Sequence, residues 1–402
     1  MGEHAVRRTA RRRTQSWLRC PAASRAPLLA VTALCLSTDA ASAQVFDQVE
    51  GIELALPEPE MVVTSVLLDG SDAAYVATHN PDQLIRLRAG TPPETVVTRE
   101  LLPDGFTITG MGTLERDIYL LDRRQGDAIS IKPTGATRRL FRGMLVGDPP
   151  ATAPTGPIAI LADGSSLIRQ LVPAARLASG ESTHTPLLRA HPGSFPEVLD
   201  RLYLGPPSLA FSDTVGRVLT RPQPYWDGDL FDVSVDGRWV VVVRSQLSRA
   251  QVTLRLFRIG ASGPDATAEQ LLIGPSDQGR LLEPDEIDPE ELQTVAEHIA
   301  EESASVLGRT VSTEEVARQL YIPPIRPMVA GVCAGRDGAV WLRGGKHESG
   351  ELVSWIRVVD GAVTHRVRFP SDFVMRDAIG GEVVGERRGK GTVMLYTVAS
   401  VQ

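Results

Sequence analysis

Four carboxylates fall close together at Asp227, Asp229, Asp232 and Asp236. Hard oxygen ligands at that density suit calcium, but their intervals do not follow an EF-hand loop, and the run reads as a solvated loop. Three other stretches imitate catalytic motifs and miss. Gly274–Gly279, GPSDQG, lacks the spacing of a nucleophile elbow. His347-Glu348 lacks the second histidine of a zinc-binding helix. Gly385–Thr392, GERRGKGT, is one residue short between its glycines for a phosphate loop and lies in a hairpin pattern. The histidines His79, His184, His191, His298, His347 and His365 show no metal-ligand spacing. One pattern does repeat: a basic residue closes a short apolar run at His79, Arg123, Arg169, Arg244 and Arg343, with Arg221 as a further candidate. Gathered at one place, such groups bind carboxylates or phosphates through charge-assisted hydrogen bonds. The bland alternative is exposed strand ends in an arginine-rich chain.

A repeated element would gather them. Pro323–Gly345, PPIRPMVAGVCAGRDGAVWLRGG, reads as strand, Asp-Gly turn, strand. Echoes occur at Asp69-Gly70, Asp163-Gly164 and Asp236-Gly237, each between apolar runs. Repeated four-stranded units of this kind predict an all-β propeller. The units run Val62–Arg99, Phe106–Arg142, a third from Pro157, then Asp229–Gly274 and Met328–Pro370. Val198–Leu204 with Leu209–Arg221 is the least regular, broken by Pro206-Pro207 and by Pro222 and Pro224. The tail, Val374–Val398, and an N-terminal strand in Val45–Leu56 share the closing blade. The count is six blades, with seven as the alternative. In each blade the second strand ends away from the Asp-Gly turn, so the basic residues are expected at one mouth of the axial channel. Of the tryptophans, Trp239 and Trp341 fall at strand positions expected in the inter-blade core, and Trp226 lies in a loop.

Residues 284–322 form a helical insertion within that propeller. Asp288 caps its first helix, Pro289 follows, and Leu292, Val295, Ile299, Val306 and Leu307 recur at helical spacing to Gly308. Ser312 and Glu315 make a capping box for a second, short helix. The default is that its apolar stripe packs on the propeller; a lid or a partner surface is the alternative.

Seven arginines before an apolar Ala26–Leu36 and the small residues Ala41-Ser42-Ala43 mark residues 1–43 as a signal peptide, with residues 44–402 forming the propeller. Cutting before Gln44 leaves 35 basic against 47 acidic residues, net −12. That balance argues against nucleic acid. Cys333 alone remains as a thiol, so there is no disulfide framework. The chain is therefore expected to be exported, periplasmic or extracellular, monomeric, and without a membrane span once the signal is removed.

Pro323–Gly345 together with Ile379–Val398, IGGEVVGERRGKGTVMLYTV, resembles the six-bladed propellers exported by bacteria, the group with NHL-repeat-like and gluconolactonase-like members. Gluconolactonase-like enzymes hold a divalent metal on the axis with carboxylate and amide oxygens. This chain has a single Asn, Asn80, so a site with several amides is ruled out and only an all-carboxylate calcium site stays open. The expected function is non-enzymatic binding of a ligand or partner protein, small and anionic if His79, Arg123, Arg169, Arg244 and Arg343 converge. No catalytic residue, metal ligand or cofactor is assigned. The alternatives are a metal-dependent, lactonase-like hydrolase or lyase, and a structural cell-envelope protein.

Overall fold

The computed structural model describes residues 46–58, 60–132, 137–141, 157–170, 183–191, 194–247, 251–260, 267–273, 286–345 and 352–399. The signal peptide expected at 1–43 lies outside them, as do the first two residues of the 284–322 insertion. Strand β1 (Gln48–Ala55) precedes the first blade, β2 (Val62–Leu68), β3 (Ala73–His79), β4 (Gln83–Arg88) and β5 (Glu94–Val97). Blade two is β6 (Gly110–Leu114), β7 (Asp117–Asp122), β8 (Asp127–Ile131) and β9 (Thr137–Phe141). Blade three is β10 (Ala159–Ile160), β11 (Ser166–Arg169), β12 (His184–Ala190) and β13 (Glu197–Tyr203). A hairpin, β14 (Leu209–Ser212) and β15 (Val218–Arg221), leads to blade four: β16 (Leu230–Val233), β17 (Trp239–Gln246), β18 (Gln251–Arg258) and β19 (Thr267–Ile273). Helices α1 (Pro289–Leu307) and α2 (Thr313–Ala317) come next. Blade five is β20 (Val329–Ala334), β21 (Val340–Gly344), β22 (Leu352–Val359) and β23 (Ala362–Pro370). Blade six is β24 (Phe373–Ile379), β25 (Glu382–Arg387) and β26 (Thr392–Ala399), completed on its outer edge by β1. The chain is a six-bladed β-propeller.

The irregular unit is not a seventh blade. Its first part is β13, the outer strand of blade three, and the rest is the β14–β15 hairpin, a separate two-stranded sheet. Leu209 and Phe211 of that hairpin pack with Ala296, Ala300, Val311 and Val316 of the helical segment. The insertion thus covers its apolar face with the hairpin. The buried face of α1 is Ala296, Ala300 and Ser303, small residues that permit close approach, while Val306 stays exposed. Asp288 accepts the Glu290 N–H at the helix start, and Gly308 ends it in the left-handed region.

The blades bury apolar surface against one another along six seams. Trp341 and Trp355 of blade five meet Phe373, Val383 and Tyr396 of blade six. Val241 and Leu254 of blade four meet Leu342 and Ile356 of blade five. Runs such as WVVVV in β17 suit sheets covered on both faces. Trp239 is half-buried and lies against the Gly338 turn of blade five.

The Asp-Gly turns bond as Asx-turns. Asp163 accepts the Ser165 N–H at 3.0 Å and Asp337 the Ala339 N–H at 3.1 Å. Gly237 must be glycine twice over: its φ is +67°, and a Cβ there would stand 2.5 Å from the Ile160 carbonyl oxygen. That contact lets the turn of blade four lean inward past β10, where the Val235 carbonyl accepts the Thr113 N–H of blade two at 2.7 Å.

Closure rests on β1. Leu54 is 5% exposed and joins the seam between blades six and one, whereas Glu50 of the same strand is exposed. Leu54→Ala is expected to lower stability by about 2–4 kcal/mol, and Glu50→Ala by less than about 0.5 kcal/mol, in urea unfolding. Equal effects would mean that β1 carries no closing role.

Candidate functional site

In every blade the second strand runs antiparallel to the innermost one, so its end lies beside the innermost strand's start. His79 pairs with Val62, Arg343 with Gly331 and Arg387 with Phe373; Val243, just before Arg244, pairs with Leu230. Arg123 and Arg169 extend the same way past Leu121 and Leu167, which pair with Gly110 and Ala159. The strand ends that carry the five basic residues singled out in the sequence therefore lie at one end of the propeller, beside the starts of the innermost strands. Arg221 does not join them: it ends β15 in the hairpin and meets Glu302 at 3.5 Å.

Their surroundings divide the five. Arg244 is committed to its neighbours: it reaches Asp200 at 2.8 Å and Asp229 at 3.0 Å, two carboxylates with only 5% and 6% of their side chains exposed. Arg255 shares Asp200 at 2.7 Å. Burial raises the Asp229 pKa, and the bonds from the Tyr203 N–H and from Arg244 pull against it. His79 bonds Asp82 at 3.0 Å, and Asp82 also accepts the Ile108 N–H of blade two.

Arg123, Arg169 and Arg343 have no carboxylate partner among the described residues. Arg123 donates to the Ile158 carbonyl at 3.4 Å, Arg343 to the Ser371 carbonyl at 3.2 Å, and Arg169 lies 5.8 Å from the Phe231 ring centre. Arg123 touches solvent yet is crowded by protein, as a group inside an open channel is. Desolvation holds its guanidinium below the usual pKa; the charges of Arg376 and Arg169 act the same way, opposed by Tyr119 and Asp232. Arg343 is lowered by desolvation and then by Arg388.

Sequence reasoning missed Arg376. It sits on the innermost strand of blade six at a β-bulge between Met375 and Asp377, and it pairs with Glu386. A bulge in mid-strand carries no turn signal, so only the structure reveals that it faces the same space. Asp232, on the innermost strand of blade four, accepts the Ala334 N–H at 2.8 Å. Burial raises its pKa to about 6, with Arg376 pulling it down and Asp377 pushing it up. Near neutral pH it therefore offsets the arginines less firmly than an ordinary carboxylate would.

Beside the same mouth, the helical insertion and the starts of β16 and β20 enclose a cleft of about 460 Å³. Tyr225 and Trp226 line it, and Tyr225 bonds Glu291 at 2.9 Å. Trp226 is anchored through its ring N–H to the Leu204 carbonyl at 2.9 Å. Among the described residues no three His, Cys, Asp or Glu side chains converge to hold a metal, and no helix is long and apolar enough to cross a membrane.

No protein-family model matches the chain, and no curated protein does. Solved structures do. A gluconolactonase from Xanthomonas campestris is 11% identical over 90% of this chain and 94% of its own, with a TM-score of 0.43. A virginiamycin B lyase from Staphylococcus aureus is 9% identical over 88% and 100%, at 0.39. A protein from Bacteroides fragilis described as exported is 9% identical over 88% and 96%, at 0.38. The likeness is one of fold.

The two kinds of arginine are separable by mutation. Arg244→Ala removes the ion-pair partner of Asp229 and one of the two partners of Asp200, and is expected to cost about 3 kcal/mol in urea unfolding. Arg169→Ala, with no buried charge behind it, is expected to cost less than about 1 kcal/mol. Similar losses would refute the division.

Proposed function

We propose that the chain is an exported propeller that binds a small anionic ligand at the axial mouth, with Arg123, Arg169 and Arg343 as its principal contacts and His79 on the rim. Arg244 serves the same face by holding Asp200 and Asp229 in place. The observation that supports this is the set of uncompensated guanidinium groups at one end of an acidic protein of net charge −7. Like charges crowded in a partly desolvated space raise the energy of the free protein, and a bound carboxylate or phosphate relieves that cost. Arginine suits the role, because its planar fork meets such groups through paired hydrogen bonds. Binding without reaction is the reading adopted, with a metal-dependent reaction as the alternative.

A thermal-shift titration of the mature protein with citrate, glucuronate and an acidic peptide tests this. A ligand at a hundredfold its Kd adds about 2.7 kcal/mol of stability. The shift is expected to fall at least tenfold in ligand potency in an Arg123→Ala/Arg169→Ala variant. It is also expected to grow as pH falls through about 6, where Asp232, farther along the channel toward the turn end, loses the negative charge that acts on Arg123, and Asp232→Asn should reduce that pH dependence. Stabilisation by calcium that EDTA reverses, with none by the anions, would replace this reading with the metal-dependent one.

A further inference from the structure

At the end of the propeller away from that mouth, hydrogen bonds join most blades to the next. Blade two bonds blade three through the Tyr119 hydroxyl, which accepts the Ile160 N–H at 3.1 Å. Blade three donates the Ala162 N–H to the Gly237 carbonyl of blade four at 3.0 Å. Asp232 joins blade four to the Ala334 N–H of blade five. The Arg336 N–H of blade five reaches the Ala378 carbonyl of blade six at 2.9 Å, and Asp377 of blade six accepts the Leu68 N–H of blade one at 2.8 Å. The seam between blades one and two is different. Among the described residues its cross-blade bond is at the mouth end, from the Ile108 N–H to Asp82, and its turn end has none.

That unbridged end holds a cleft of about 410 Å³. Its apolar wall is made by Val96 and Ile118, both half-buried, with Tyr75. Its charges are unequally matched. Arg86 takes Asp69 at 2.6 Å and approaches Glu94 at 3.9 Å, while its guanidinium lies 5.7 Å from the Tyr75 ring centre. Arg336 is taken by Asp377. Arg116 and Lys132 remain, both exposed at the cleft and without a hydrogen bond or ion pair to any described residue. The chain holds only three lysines, Lys132, Lys346 and Lys390, so a lysine at this rim is an uncommon choice for it.

We propose that this cleft is a second ligand site, independent of the axial mouth, for a small amphiphilic anion: an apolar or aromatic body carrying one carboxylate, sulfonate or phosphate. The body lies on Val96, Ile118 and Tyr75, and the anionic group meets Arg116 and Lys132. The volume is that of a small-molecule pocket, and its wall is divided about evenly between polar and apolar surface, which suits a ligand that carries both. The two cations select charge, and the apolar wall selects the body.

The probe is 8-anilinonaphthalene-1-sulfonate, titrated by fluorescence into the folded mature protein, with the uncharged N-phenyl-1-naphthylamine as comparison. Saturable binding near one equivalent is expected at this cleft, weakened at least tenfold in Arg116→Ala/Lys132→Ala and unchanged in Arg123→Ala/Arg169→Ala. The uncharged analogue is expected to bind at least tenfold more weakly than the sulfonate. Circular dichroism confirms that each variant is folded, which two exposed side chains should not disturb. Equal affinity in the Arg116/Lys132 variant, equal affinity of the uncharged analogue, loss only in the Arg123/Arg169 variant, or no saturable binding would each overturn the proposal. Failure of the axial mouth to bind citrate would leave it standing.

Discussion

The pairing of β1 with β26 is the contact on which the rest of the ring depends. Eight register pairs, from Gln48 with Ala399 to Ala55 with Thr392, join the start of the fold to its end. Adjacent blades otherwise meet through side-chain seams, scattered hydrogen bonds and ion pairs, none of them a continuous strand ladder. Without β1, blade six would present β26 as an open edge, and open edges invite pairing with other chains. Leu54 ties this backbone closure to the apolar packing of blade one, so closure and core formation are coupled.

A ring closed in this way has two unlike ends. At the turn end, a tyrosine hydroxyl, carboxylates and backbone carbonyls cross five of the six seams among the described residues, and the blade-four turn leans inward to bond blade two. Their bonding capacity is spent on the fold. At the mouth, several guanidinium groups reach only single carbonyls or an aromatic ring. Long cationic side chains left so lightly engaged have bonding capacity for a ligand. Arg244 marks the boundary between the two uses, because it stands at the mouth yet is occupied by Asp200 and Asp229.

Much of this was legible in the sequence, for identifiable reasons. Asp-Gly needs a left-handed turn between strands, so Asp69, Asp163, Asp236 and Asp337 mark where innermost strands end. With strand direction alternating, placing His79, Arg123, Arg169, Arg244 and Arg343 at one end follows. What alternation does not encode is pairing across large sequence separations. Asp200 lies 44 residues before Arg244, and nothing local announces their bond. The same limit made β13 and the β14–β15 hairpin look like one broken unit, since only the contact of Phe211 with Ala296 and Ala300 shows where the hairpin belongs. Arg376 was hidden by a β-bulge, which redirects a side chain without changing composition.

The most direct test of the account is a crystal structure of residues 44–402 grown in selenate, read by anomalous scattering. Selenate is a tetrahedral oxyanion whose position is unambiguous. The account predicts a peak at the axial mouth, within hydrogen-bonding distance of Arg123 and Arg169. Well-diffracting crystals with that space empty, or with Arg123 and Arg169 turned onto carboxylates of the protein itself, would contradict it.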